Sequence, residues 1–232
     1  MTRMKLGMTV LRMNLPAEFK TENINALINE LIAQNQLKKD ARIRLTVMRN
    51  EGGFYAPETN DISFLIEAEE YHGQGYELNQ KGLWVDIYGD IKKQINKLSN
   101  IKSTNALHYV MAGLAKQSMN LDECLLINEN GHICESISSN IFIVKNGTLF
   151  TAPLSEGCVA GIMRKHVLSL ANQHKILYFE NNITMNTLMN GDEVFLTNSI
   201  KGIQWVGQFK HTYYTNKMAQ FFTEKLNALT KE

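Results

Sequence analysis

The segment Leu98-Ser99-Asn100-Ile101-Lys102-Ser103-Thr104-Asn105 sets a lysine where a polar loop meets an apolar run that the spacing extends as a helix from about Ser103 to Gln117. An amine withdrawn from water at such a junction is a usable nucleophile and condenses with aldehydes. Taken alone, the segment reads better as a solvated lysine in the first turn of a helix. What lies downstream decides between the two.

Glu135 follows in the run HICESISSNIFIVKNG, on a strand expected over His132 to Glu135 that could return beside the lysine. A carboxylate there can hold a heteroaromatic ring nitrogen in its protonated form, although a strand-end glutamate facing water fits the local sequence as well. Ile141 to Lys145 and Thr148 to Thr151 flank Asn146-Gly147, the dipeptide that most favours a two-residue hairpin turn. Gly157 to Met163 (GCVAGIM) then runs into a helix expected over Gly161 to Gln173, whose first free N–H groups, at Ile162 and Met163, suit an anion. Thr197-Asn198-Ser199 ends a strand expected over Glu193 to Thr197 and offers hydroxyl donors to the same kind of ligand. Either loop alone is common turn chemistry.

Upstream, Leu6 to Met13 and Thr21 to Gln36 read as helices, and Arg42 to Arg49, Ile62 to Glu67 and Leu83 to Tyr88 as strands. Glu69 to Gly82 loses periodicity and gathers glycine and polar residues, as a linker does. The expected organisation is therefore a small N-terminal α/β domain over residues 1–70, a linker over 71–82 and a larger domain over 83–232 with a mixed sheet. Ile176 to Phe179 reads as a further strand, Met185 to Met189 as a short helix and Thr215 to Leu229 as the closing helix.

The 232 residues suffice for a substantial core without disulfides or metal. Lys plus Arg (24) balances Asp plus Glu (23), so no global field draws the chain to nucleic acid or an anionic membrane. Arg42, Arg44 and Arg49 read as a solvated strand face and lack the interleaved aromatic residues of a nucleic-acid surface. Cys124, Cys134 and Cys158 show no CxxC and no histidine at ligand spacing, which argues against a disulfide scaffold or a metal site and for a reducing cytoplasm. No apolar run is long enough to span a bilayer.

Taken in order, Lys102 in IKSTN, Glu135 in ESISSNIFIVKNGTLFTAP, GIMR at Gly161 to Arg164 and FLTNSIKGI from Phe195 resemble the successive signatures of the class IV aminotransferases. That family includes branched-chain aminotransferases, D-amino acid aminotransferases and aminodeoxychorismate lyases. The resemblance implies the α/β fold called type IV among pyridoxal-phosphate enzymes, with pyridoxal 5′-phosphate held on Lys102 as a Schiff base. It further implies that Lys102 moves the substrate's α-proton, that Glu135 pairs with the pyridine nitrogen, and that Ile162, Met163 and Ser199, with Asn198 beside them, bind phosphate. Arg3 in TRMKLG is similar to an arginine of the family that also reaches the phosphate. His108 and Tyr109, on the helix after Lys102, are near enough in sequence to approach the cofactor but read first as packing residues.

Family members begin with a strand, a hairpin and a G-D-G-hydrophobic-F-E segment upstream of the arginine helix; this sequence has none of these, so its small domain is expected to lack its first strands. The KxxN spacing at Lys102 departs from the branched-chain pattern, GIMR and TNS resemble the lyases, and ESISSN resembles the D-amino acid aminotransferases. The reading leans to 4-amino-4-deoxychorismate lyase, which eliminates pyruvate to give 4-aminobenzoate. The alternatives are an aminotransferase of the D-amino acid or branched-chain type using 2-oxoglutarate, and a fold relative without activity. The family also implies a homodimer.

Overall fold

The computed structural model describes residues 1–38, 40–73 and 75–229, and the chain forms two compact units, Met1–Gln74 and Gly75–Glu232.

The first unit contains α1 (Thr2–Val10), α2 (Thr21–Gln34), β1 (Ala41–Arg49) and β2 (Ile62–Glu70). α1 starts and stops earlier than its apolar periodicity suggests, because the chain leaves the helix at Leu11 and Arg12 takes a left-handed φ of 55°. The strands pair antiparallel with Leu45 opposite Ile66 and Val47 opposite Phe64. Ile24 of α2, Met8 of α1 and Phe19 pack with Leu45, Val47, Ile62 and Ile66 in a small core. The alternation that turns Leu45 and Val47 inward turns Arg42 and Arg44 out, while Arg49 shares the inward side and is half-buried. Arg42 and Arg44 pair with Glu69 and Glu67 directly across the hairpin, while Arg49 bonds Asn60 and the Leu11 carbonyl. These cations are therefore spent on local partners.

The second unit is built on a mixed sheet. It comprises β3 (Leu83–Lys93), α3 (Leu107–Ser118), β4 (Glu123–Asn128), β5 (Ile133–Ser136), β6 (Asn140–Lys145), β7 (Thr148–Thr151), α4 (Ile162–Gln173), β8 (Tyr178–Glu180), α5 (Met185–Met189), β9 (Glu193–Asn198), β10 (Gly202–Phe209), β11 (Thr212–Tyr213) and α6 (Lys217–Leu229). The sheet order is β5-β4-β3-β10-β9-β6-β7-β8, with β11 added to β10. β3 runs parallel to both β4 and β10, and β7 is parallel to β8; the other pairs are antiparallel.

β6 and β9 explain why the sheet is a middle layer. In Ile141-Phe142-Ile143-Val144 the odd residues join a core with Val85, Leu125, Val194 and Leu196, and the even ones join Phe195, Val167, Leu170 and Phe222 on the opposite face. Strands buried on both faces need continuous apolar runs rather than alternation. The β6–β7 hairpin closes as expected, with Asn146 and Gly147 both at positive φ (49° and 74°). At the other end of β6, Ser136 N–H donates to the Ser139 carbonyl at 2.7 Å, drawing β5 toward β6 and curling the sheet.

In the second unit α3, β3 and β10 depart most from the sequence expectation. α3 begins at Leu107, not near Ser103, because Ser103 Oγ accepts the Asn105 N–H and holds a turn there instead. β3 continues past Tyr88 to Lys93, where it rejoins β4 opposite Asn128 after an irregular stretch. β10, a central strand, carries no clean strand pattern because Gly202 and Gly207 interrupt it. Gly207 is required where it is: a Cβ there would meet the Gly82 backbone, with Cα at 2.9 Å.

Phe195 is fully buried and stacks on Phe142 with ring centroids 5.1 Å apart. Phe195→Ala is expected to lower the unfolding free energy by about 3–5 kcal/mol, measured by urea denaturation, since the surrounding layers close only partly over the void.

Candidate active site

The polar centre of the second unit is Glu135 on β5, 3% exposed. Its Oε1 pairs with the Lys93 ammonium from the end of β3 and accepts the Tyr109 hydroxyl of α3 at 2.6 Å. Its Oε2 accepts the Val159 N–H at 2.7 Å from the loop that enters α4. Lys93 Nζ also donates to the Tyr109 oxygen at 2.9 Å, so lysine, tyrosine and glutamate close a triangle. Burial, and then the Glu135 charge, push the Tyr109 phenol well above the usual tyrosine range, so the hydroxyl stays a donor. His108 lies tilted at 42° against Tyr109 with centroids 3.8 Å apart, and its buried Nε2 has no partner. Burial, followed by the nearby Lys93 charge, lowers the His108 imidazole below its ordinary value.

Lys102 lies in the irregular stretch between β3 and α3 and is exposed, with no ion pair or side-chain hydrogen bond among the described residues. The withdrawal from water raised by the sequence is thus not a property of the protein by itself. Its backbone is nevertheless pinned. Asn100 Nδ2 donates to the carbonyls of Leu154 and Cys158 (2.8 and 2.7 Å), and the Asn100 carbonyl accepts the Ala160 N–H at 3.0 Å. Since Val159 holds Glu135, a single loop, Leu154 to Gly161, joins the lysine segment to the buried carboxylate.

The same loop delivers the N-terminus of α4. Gly161 is the N-cap and no side chain caps the helix, leaving the N–H groups of Ile162 and Met163 without a partner within it. A Cβ at Gly161 would collide with Asn140 Oδ1, so only glycine lets the helix start lie on Asn140. Asn140 pairs in turn with Thr197 across β6 and β9. Thr197 Oγ1 is buried with no partner, Asn198 Nδ2 donates to Ser139 Oγ at 2.9 Å, and Ser199 is exposed just beyond. Unpaired N–H groups at a helix start and an orphaned hydroxyl are donors of the kind that suits an anion.

The fold therefore gathers the β9 end with the start of α4, and the Lys102 segment with Glu135, around one loop. Arg3 belongs to the first unit, on α1, and is half-buried. Lys93, Asn100, Asn140 and Val159 also belong to the site, and none of them stands out in the sequence. Tyr109 reads there as a packing residue, whereas its hydroxyl bonds Glu135. The available signal for Lys93 is a cation at the end of a strand that pairs with β4, itself the partner of the Glu135 strand, and this is visible only once the pairing is known.

The chain belongs to the family described as amino-transferase class IV, whose model matches residues 1–209. Among curated relatives it is 33% identical over 132 residues to a putative branched-chain-amino-acid aminotransferase of Methanocaldococcus jannaschii, covering 57% of this chain and 46% of that protein. It is 27% identical over 202 residues to the D-alanine aminotransferase of Bacillus licheniformis, covering 84% and 68%. The chain thus spans roughly half to two thirds of the length of these relatives. The structure superposes with TM-score 0.85 on a branched-chain aminotransferase of Thermoproteus uzoniensis (23% identity, 97% of this chain and 75% of that one). For a putative 4-amino-4-deoxychorismate lyase of Legionella pneumophila the TM-score is 0.84 (21% identity, 99% and 83%). The fold is that of the type IV aminotransferases. Among the described residues no helix is long and apolar enough to cross a membrane, and no cluster of three His, Cys, Asp or Glu could hold a metal.

Three free thiols surround this architecture, and burial raises Cys124 and Cys158 to about 11 and Cys134 further still. In the unfolded chain a thiol titrates near about 8.5, so the unfolded state loses these protons first. Stability held by the neutral thiols is complete below that pH and declines above it. The urea midpoint should fall between about pH 8 and about pH 10. The fall should be smaller in a Cys134→Ala/Cys158→Ala variant; equal falls would refute the assignment.

Proposed function

We propose that the chain is a pyridoxal-phosphate-dependent enzyme acting on the amino group of a small carboxylic acid, with Lys102 as the attachment point. The observation that carries this reading is the loop Leu154 to Gly161. It is bonded to the Lys102 segment through Asn100 and to Glu135 through Val159, and it ends at the uncapped start of α4.

The donor set fits the cofactor. A dianionic phosphate would take the N–H groups of Ile162 and Met163 together with Thr197, Asn198 and Ser199, while Glu135 would accept the ring N–H. The bound cofactor supplies an electron sink for a carbanion at the substrate's α-carbon. Glu135 holds the ring nitrogen's proton, and the Lys102 amine takes the α-proton and returns it. With Glu135 on the ring nitrogen, the cofactor's shape favours Lys102 over Lys93 as the attachment point. The ring nitrogen and the aldehyde lie at opposite ends of the ring, so an amine in contact with Glu135 cannot also reach the aldehyde.

Transfer and elimination share these groups. Amino transfer to 2-oxoglutarate is the first reading, supported by the aminotransferase names of the sequence relatives. Elimination of pyruvate from aminodeoxychorismate is the second. It is supported by GIMR at Gly161 to Arg164, by TNS at Thr197 to Ser199, and by the fold likeness to the Legionella protein.

Purified protein mixed with pyridoxal phosphate should turn yellow, and borohydride followed by peptide mapping should place the label on Lys102. Lys102→Ala should lower turnover by about 10²–10⁴-fold. A protein that gains no visible band sinks the proposal. Assay of aminodeoxychorismate against D- and L-amino acids with 2-oxoglutarate separates the two readings: 4-aminobenzoate formed without consumption of keto acid selects the lyase.

A homodimer is part of the same proposal. Leu107, Val110, Met111 and Leu114 recur at i, i+3, i+4 and i+7 on α3, yet are 76%, 54%, 44% and 54% exposed, an outward apolar stripe that a second copy would cover. Val110→Glu/Leu114→Glu should halve the mass seen by sedimentation if that stripe is the contact, whereas an unchanged mass rules it out.

A further inference from the structure

We propose that Lys93 is a positioning residue for the reaction proposed above: it gives Glu135 a counter-charge and occupies its Oε1 together with Tyr109, leaving Oε2 as the oxygen that faces the cofactor's ring nitrogen. The inference rests on that reading and adds a second lysine, a tyrosine and one particular carboxylate oxygen to it.

The geometry first fixes how the acceptor sites are used. An ionised carboxylate has about four lone-pair positions. On Oε1, Lys93 Nζ and the Tyr109 hydroxyl take both; on Oε2, the Val159 N–H takes one, and one remains open. The open position belongs to the oxygen bound to the loop that carries α4. A ring nitrogen approaching Glu135 therefore meets a single vacancy with a defined direction.

Energetics argue against a purely structural role. Lys93 and Glu135 are only 5% and 3% exposed, and a buried ion pair recovers little more than its desolvation cost, so an apolar pair would serve packing as well or better. Packing is already supplied, since Val85, Leu125, Leu126 and Ile133 of the same three strands are fully buried around the pair. What an apolar pair would not supply is a fixed charge behind the carboxylate. The remaining titratable groups facing Glu135 are His108, Tyr109, Cys134 and Cys158. Burial favours the neutral form of each of these, which leaves Lys93 as the cation opposing a positive charge placed on the ring nitrogen.

Removing Lys93 removes that opposition. The test compares wild type, Lys93→Met, Lys93→Arg and Tyr109→Phe as full chains loaded with pyridoxal phosphate, reading the pH midpoint of the bound cofactor's visible band and the affinity for cofactor. Lys93→Met should raise the midpoint by about one pH unit or more. Lys93→Arg should restore it toward wild type. Tyr109→Phe, which keeps the ring and removes one donor from Oε1, should raise it by less, and it serves where Lys93→Met does not fold.

In cofactor-free protein, the loss of urea midpoint caused by Lys93→Met should shrink in a Glu135→Gln background, where the carboxylate is already gone. Wild type that shows a band while neither Lys93→Met nor Tyr109→Phe changes its midpoint overturns the inference and leaves the proposed function standing. Wild type that shows no band overturns both. Borohydride label on Lys93 in place of Lys102 also overturns it, because Lys93 would then touch the reacting atoms themselves.

Discussion

A carboxylate removed from water must be met by donors from several directions at once, and Glu135 is met from three. The end of β3, the first turn of α3 and the loop into α4 each send one group to it: Lys93, Tyr109 and Val159. Sheet order makes this possible, because β3, β4 and β5 are neighbours and α3 connects β3 to β4. Each donor fixes an element that has few other reasons to stop where it does. β3 runs on through an irregular stretch to Lys93, and Val159 anchors a loop with little regular structure of its own. Losing any one leaves a buried charge short of partners, which costs more than the lost hydrogen bond is worth.

The opposite pole is built from backbone. Ile162 and Met163 present free N–H groups because α4 has no side-chain cap, and glycine at its N-cap lets the helix start lie against Asn140. Asn140 ties this pole to β9 through strand pairing and to the connecting loop through Nδ2 and the Val159 carbonyl at 2.9 Å. One residue, Val159, thus bonds both poles, its N–H to Glu135 and its carbonyl to Asn140. The result is a polar axis, acceptor at one end and donors at the other, fixed before any ligand arrives. Such preorganisation lowers the ordering cost of binding an elongated molecule with a cationic ring nitrogen and an anionic tail.

How much of this is legible in the sequence follows from which interactions are local. The β6–β7 hairpin is readable because Asn146-Gly147 carries its own turn geometry, and β9 because buried strands are apolar without interruption. β10 is not, since Gly202 and Gly207 answer to contacts with Tyr76 and Gly82, far away in the chain. The order of Lys102, Glu135, GIMR and TNS is legible as a family pattern. The bonds between those pieces are not. Lys93 looks like any lysine in a polar stretch, and Asn100 like any loop asparagine, until strand pairing and the Leu154 to Gly161 loop bring their partners to them.

Lys102, the proposed attachment point, shows why such a residue suits a loop rather than the inside of a helix. An amine that must meet an aldehyde and then handle a proton needs reach, which an exposed four-carbon side chain provides, and it needs a fixed origin, which a free loop does not. Asn100, two residues before the lysine, resolves the conflict by bonding three groups of the neighbouring loop, two through its side chain and one through its carbonyl, while Lys102 itself remains uncommitted. Lys93 is the converse case, a buried lysine already bonded to Glu135 and Tyr109. In the proposed reaction the two lysines hold complementary roles, the buried one setting the charge around Glu135 and the exposed one left free to react.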